Sequence, residues 1–192
     1  PNREYGKNFI KKIITNFIFL LADGCVFQTE DASKYFIKSI RKKSTIIVNP
    51  VNEIFFNTPS SDIRKNVVTV GRLFPQKNHK LLIKAFSLFS EKNADENLII
   101  YGEGPLKSEL VGYANKLGIK ERVLFPGSIS NVSKELCKAK VFVLSSNYEG
   151  LPNALMEAMA CGTAVISTDC PAGGPKYLLK DTDAGILVPC ND

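Results

Sequence analysis

From Val67 onward, short runs of β-branched and other apolar residues recur: Val67–Val70, Leu98–Tyr101, Val123–Phe125, Val141–Leu144, Ala164–Ser167 and Gly185–Val188. Between them lie segments whose apolar positions return every three to four residues: Lys80–Ser90, Leu106–Leu117, Val132–Lys138, Asn153–Ala160 and Pro175–Leu179. The first set predicts strands and the second helices, because strand side chains alternate faces while helical ones share a face every 3.6 residues. The apolar runs are too continuous for strands with one wet face, which predicts a parallel sheet covered on both sides. Strands alternating with helices of about ten residues imply right-handed βαβ crossovers, and so an α/β fold with a doubly wound parallel sheet.

The first fifty residues read differently. Asn8–Ala22 predicts a helix, Gly24–Gln28 a strand, Asp31–Ile40 a second helix and Ser44–Val48 another strand. Asn49-Pro50-Val51-Asn52 and Thr58-Pro59-Ser60-Ser61-Asp62 are rich in turn formers. A piece this small cannot hold a sheet core of its own. Residues 1–52 are therefore expected to be the end of an earlier α/β domain, 53–66 a linker, and 67–192 a second domain that is itself incomplete. On this expectation the chain, which opens at Pro1, is an excerpt of a longer protein.

Composition narrows the function classes. The 192 residues are 44% apolar and 23% charged, enough to bury a core. No run approaches the roughly 18 apolar residues of a membrane span. The nearest, Ile13 to Val26, is broken by Thr15, Asn16, Asp23 and Gly24, and no signal peptide is visible. Five scattered cysteines without a C-x-x-C pair, and one histidine (His79), supply neither a zinc cluster nor an obvious disulfide framework. They fit a reduced, cytoplasmic compartment, with the cysteines as small buried apolar residues.

The net charge of +6 is concentrated early: residues 1–66 hold 11 Lys/Arg against 6 Asp/Glu, and Lys34, Lys38, Arg41, Lys42 and Lys43 crowd together. Such a cluster is either a solvated helix end or a patch for anionic lipid headgroups. With no aromatic interleaving and no nucleic-acid motif, nucleic acid is not an expected partner.

In a doubly wound sheet, ligands bind beyond the carboxyl ends of the strands. Four such loops carry candidate chemistry. Gly71-Arg72-Leu73-Phe74-Pro75-Gln76-Lys77 sets two cations near a helix start, where backbone amides already favour anions. It suits a diphosphate, or it is an ordinary strand exit with two solvated bases. Gly102-Glu103-Gly104-Pro105 lacks the third glycine of a dinucleotide fingerprint and reads as a tight turn, with Pro105 in the first helical turn. Phe125-Pro126-Gly127-Ser128-Ile129-Ser130 offers backbone groups on which a flat base could lie, or is a plain loop.

The fourth loop, Ser145 to Glu157, is the most informative. It spaces Glu149, before a helix, and Glu157, one turn inside it, on either side of Gly150-Leu151-Pro152-Asn153. The amides of residues 150–153 are expected to face the cleft. Glu157 sits among Leu155, Met156, Ala158 and Met159, so it needs either sugar hydroxyls or a nearby cation as partner. Asp181-Thr182-Asp183 matches a metal-holding D-x-D pattern but falls between a helix and a strand, where a turn explains it. No G-x-x-x-x-G-K-[ST] is present, which disfavours a P-loop hydrolase.

Taken in order, Gly71-Arg72 with Lys77, Phe125-Pro126-Gly127, and Glu149-Gly150-Leu151-Pro152 with Glu157 resemble the retaining "group 1" glycosyltransferases of the two-domain, Rossmann-like GT-B fold, whose hallmark is two glutamates separated by seven residues. The resemblance covers most of the chain, from the last strand of an N-terminal acceptor domain through the donor-binding domain. It implies transfer of a sugar from a nucleotide-diphosphate donor, by default a UDP-sugar, to a glycan or lipid-linked acceptor with retention of configuration, in cell-surface polysaccharide or glycolipid synthesis.

Site roles follow from the same likeness. Arg72, Lys77 and Glu149 would be catalytic, with the cations neutralising the departing diphosphate without a metal or other cofactor. Glu157 would accept from the ribose hydroxyls. Glu149, Gly150, Leu151, Pro152 and Asn153 would hold the donor sugar and phosphate, and the backbone at Ile129 the base. The basic first segment points to peripheral contact with a membrane surface, and so to action at the inner face of the plasma membrane on a lipid-carried acceptor. A piece of this extent is expected to bind nucleotide weakly and not to turn over. Two other readings stand beside it: a noncatalytic nucleotide-binding module, and an NAD-dependent oxidoreductase, which leaves both glutamates unexplained.

Overall fold

The structure is a computed structural model that describes residues 9–190. It opens with α1 (Phe9–Leu21), β1 (Cys25–Phe27), α2 (Glu30–Lys34), α3 (Lys38–Lys42) and β2 (Ser44–Ile46). β1 and β2 pair in parallel with Cys25 opposite Ser44. Cys25, Phe27 and Ile40 are buried there, and Phe36 stacks its ring 4.8 Å from Phe19 and 5.0 Å from Phe27. That packing divides the single helix expected over Asp31–Ile40. Ile37 is extended, and its amide donates to Asn16 Oδ1 at 3.2 Å instead of continuing the helical ladder. Ile13, Ile14, Phe17, Ile18 and Leu21 of α1 are exposed.

The segment expected as a linker holds the short helix α4 (Ile54–Asn57) and the first residues of β3 (Lys65–Val70). β3 starts ahead of the apolar run because Asn66, in left-handed backbone, donates its amide to Glu96 Oε2 and accepts from the Asn97 amide. There follow α5 (His79–Ser90), β4 (Leu98–Tyr101), α6 (Lys107–Lys116), β5 (Val123–Gly127), α7 (Val132–Lys138), β6 (Ala139–Leu144), α8 (Asn153–Ala160), β7 (Ala164–Thr168), α9 (Gly174–Leu179) and β8 (Gly185–Val188).

The six later strands form one parallel sheet in the order β5-β4-β3-β6-β7-β8. This is the doubly wound arrangement, whose order reverses between β3 and β6. Each face buries its own core. Val67, Leu98, Ile100 and Val123 pack against Leu82, Ile83 and Phe86 of α5 and Leu110 of α6. On the other face, Val68, Phe142, Leu144 and Val165 meet Leu136 of α7, Leu155 of α8 and Leu179 of α9. Burying a side chain such as Phe142 stabilises the fold by about 1.5–3 kcal/mol. Four cysteines are buried and Cys190 is half-buried. Among the described residues no helix is long and apolar enough to cross a membrane.

Candidate active site

The loops leaving β3 and β6 come together at the point where the strand order reverses. Ser145, just past β6, donates its hydroxyl to Lys77 O at 2.9 Å and lies 3.2 Å from Asn78 O. The Asn147 amide donates to Gln76 O at 2.8 Å, and Gln76 Nε2 returns a bond to Tyr148 O at 3.0 Å. These bonds fix two segments some seventy positions apart as one rim. His79 Nε2 lies 3.3 Å from Arg72 O, and burial pushes its imidazole down to about 4. The ring is therefore neutral at ordinary pH and, facing a carbonyl, donates from Nε2.

Within that rim, Lys77 Nζ lies 2.6 Å from Glu149 Oε1, and the Ser146 hydroxyl donates to the same oxygen at 2.7 Å. Both side chains are largely covered, 16% and 9% exposed, so the pair is shielded from bulk water. An ammonium has three donors, which leaves Lys77 two for a ligand. Oε2 of Glu149 takes no protein donor among the described residues. Arg72 is exposed, its guanidinium 5.3 Å from the Phe74 ring, with no carboxylate partner among the described residues. Glu157 is half-buried, and burial alone raises its carboxyl above the usual range. No cation of the described residues pairs with it, so the requirement that its surroundings impose is met by none of them.

These groups line a cleft of about 490 Å³ with Val70, Gly71, Gln76, Leu151, Pro152, Asn153, Ala154 and, from the first segment, Asn49. Of the residues singled out in the sequence, Arg72, Lys77, Glu149, Leu151, Pro152, Asn153 and Glu157 thus share one cavity. Gly150 and Ile129 are not among its lining residues. Gly150 is pressed between Gln28 and Gly174. The Ile129 side chain packs against the core cluster beneath α7 and α8.

The expected row of cleft-facing amides needs correction. The Leu151 amide donates to Gln28 Oε1 at 3.2 Å, and Pro152 has no N–H to offer. Pro105 also differs, lying in the turn before α6 rather than inside its first turn. The turn there spans Pro105 and Leu106 rather than Gly102 and Gly104, which run close against the loop after β3: a Cβ on Gly102 would sit 2.1 Å from Gly71 O. Asp181 is a left-handed turn residue, and Asp183 lines a hollow with Thr163, Ala164 and Gly185, at the opposite edge of the sheet.

Four contributors to the site were not singled out in the sequence: Ser146, Gln76, Gln28 and Asn49. Ser146 had a signal, a polar residue at an apolar strand's end. An apolar hollow of about 360 Å³ between α5 and the sheet is lined by Leu81, Ala85, Phe89, Val143 and Ile166, with no charged group to receive an anion.

Two cations and two carboxylates converge at the switch point of a doubly wound sheet, and this α/β fold is shared with GT-B glycosyltransferases. Residues 50–192 match the model of the family described as glycosyl transferases group 1, and the chain belongs to that family. It is 34% identical over 197 residues to a Methanocaldococcus jannaschii protein described as an uncharacterised glycosyltransferase, covering 93% of this chain and 48% of that protein. It is 33% identical over 200 residues to the N-acetylgalactosamine-N,N'-diacetylbacillosaminyl-diphospho-undecaprenol 4-alpha-N-acetylgalactosaminyltransferase of Campylobacter jejuni, covering 98% of this chain and 53% of that one. The chain spans about half the length of these relatives. In fold it is similar to Anabaena HepE, crystallised with UDP, with a TM-score of 0.83 at 20% identity over 96% of this chain and 56% of that one.

Proposed function

We propose that the protein transfers a sugar from a nucleotide-diphosphate sugar, UDP-linked by default, to a lipid-linked or polysaccharide acceptor, with retention of configuration. The observation that carries this reading is the convergence of Arg72, Lys77, Glu149 and Glu157 on one cleft. As the bond between the sugar's anomeric carbon and the phosphate oxygen breaks, negative charge grows on the leaving diphosphate. Lys77, already fixed there by Glu149, and Arg72 beside it favour that transition state over the ground state. Lys77 cannot swing away, because the buried Glu149 holds it. The acceptor hydroxyl bonds to the anomeric carbon on the leaving-group face and passes its proton to the departing phosphate oxygen.

Glu149 Oε2 accepts from a donor-sugar hydroxyl, and Glu157 accepts from the ribose hydroxyls, which replaces the solvation it has lost. Two cations supply the charge neutralisation that a divalent metal would otherwise give, so the reaction is proposed to need no metal. The relative from C. jejuni, named for a diphospho-undecaprenol substrate, and HepE, crystallised with UDP, support the acceptor and donor classes. We further propose that the basic residues Lys38, Arg41, Lys42 and Lys43 bring the protein to an anionic lipid surface, which co-sedimentation with anionic but not neutral vesicles would show.

Calorimetric titration with UDP, GDP, ADP and NAD under a chelator tests the reading. Binding of one nucleoside diphosphate, lost in Arg72→Ala, supports it and names the base. Binding that requires a divalent metal overturns the metal-free step, and preferential NAD binding overturns the whole.

A further inference from the structure

Three hydrogen bonds between amides cross from the glutamate loop to the first segment and back. The Leu151 N–H donates to Gln28 Oε1 at 3.2 Å, Gln28 Nε2 donates to Asn49 Oδ1 at 2.8 Å, and Asn49 Nδ2 donates to Asn153 Oδ1 at 2.8 Å. An isolated asparagine or glutamine can turn its oxygen and nitrogen either way round. This chain cannot, because it begins at a backbone N–H, which only donates. Gln28 must present oxygen to Leu151 and therefore nitrogen to Asn49. Asn49 must then present nitrogen to Asn153, whose carbonyl oxygen is turned toward Asn49 and whose NH2 therefore lies on the other side. The group that Asn153 retains for the cleft it lines is its NH2.

We infer that Gln28 and Asn49 are positioning residues that fix Asn153 as a hydrogen-bond donor toward an oxygen anion in the cleft. The inference rests on the diphosphate reading of that cleft. It adds a neutral, oriented donor beside Lys77 and Arg72, and it makes the polarity of the donor site depend on a residue at the end of β1, outside the donor domain. Neither residue has to touch the ligand for its replacement to be felt there.

Gln28→Glu distinguishes this relay from simple support. The carboxylate still accepts from the Leu151 amide but offers Asn49 no donor, so Asn49 and then Asn153 turn over, and Asn153 shows the cleft its oxygen. UDP affinity, measured by calorimetry, should fall about tenfold or more, because an oriented donor to an anion becomes an acceptor. Gln28→Met removes both bonds without imposing the reversed order and should lose less. In an Asn153→Ala background Gln28→Glu should change affinity by less than about twofold, since coupled residues do not act additively. Equal losses in both backgrounds, or a larger loss for Met than for Glu, overturn the relay in favour of a charge or packing effect.

A readout without ligand separates this inference from the diphosphate reading. In the unliganded protein the Asn153 side-chain amide protons should exchange freely with water, and in Gln28→Glu they should become protected. Absence of UDP binding by the native protein together with that switch in protection would sink the diphosphate reading and sustain the relay. Unchanged protection would sink the relay whatever binds.

Discussion

Lys77 and Arg72 offer the cleft the same charge, but their loss should have different consequences. Lys77 is paired with a buried carboxylate, so Lys77→Ala strands Glu149, at about 3–5 kcal/mol for a broken buried pair. Arg72 is exposed and holds no carboxylate among the described residues. Arg72→Ala should lower nucleotide affinity about 10- to 100-fold and leave the melting temperature unchanged. Lys77→Ala should lower both, and adding Glu149→Gln should restore stability without restoring binding. Differential scanning fluorimetry beside calorimetry separates these outcomes.

Glu157 runs the other way. Its raised carboxyl means that the folded state holds the proton more tightly than the unfolded chain, so its ionised form opposes folding at neutral pH. Glu157→Gln should raise the melting temperature of the ligand-free protein, by a margin that shrinks as pH falls into the carboxylate range. The same change should weaken UDP but not a 2′,3′-blocked analogue. His79 titrates with the opposite sense. Its imidazole is lowered from 6.5 to about 4, so its contribution is whole above pH 6.5 and is lost as pH falls toward 4. That loss amounts to about 3 kcal/mol. Melting temperatures recorded between pH 7 and 4 should decline through that window, and less steeply in His79→Asn.

The glutamate loop is shaped by its neighbours as much as by its own residues. A Cβ on Gly174, at the start of α9, would lie 1.5 Å from Gly150 O. Gly174→Ala should therefore displace the loop before α8, lowering the melting temperature and abolishing nucleotide binding, whereas Gly112→Ala, which meets open space, should do neither.

This dependence on distant elements explains what could be read from the chain and what could not. Leu98–Tyr101, Val132–Lys138, Asn153–Ala160 and Gly185–Val188 begin and end where their apolar periodicity does, because punctuation by Gly, Pro and Asn coincides with the end of burial. The helix expected over Asp31–Ile40 broke because Phe36 turned into a tertiary cluster, a preference local propensity does not contain. Arg72, Lys77, Glu149 and Glu157 were legible because charge at a strand's carboxyl end, or inside an apolar helix, is locally anomalous. Gln28 was not: a glutamine at a strand end is unremarkable until Leu151, 123 positions later, is seen to donate to it.

On the scale of the whole molecule, the two parts meet through few but directional contacts. Beyond the amide relay, Thr29 caps α2 through the Ala32 amide and donates its hydroxyl to Ala172 O at 3.0 Å, at a residue in left-handed backbone. The first segment thereby touches two neighbouring loops, the one after β6 that leads into α8 and the one after β7 that leads into α9.

The reversal of strand order between β3 and β6 has one more consequence. The two walls of the cleft stand side by side in space, yet Lys77 and Glu149 are 72 positions apart along the chain. Closing a loop of that size carries an entropic penalty that grows with the logarithm of its length. A nucleotide bound to both walls, as proposed, would work as a removable staple across that loop, like a cross-link that can be washed out. The rim bonds and the β3–β6 pairing close the seam without it, so such a staple should add to the melting temperature without being needed for the seam to form.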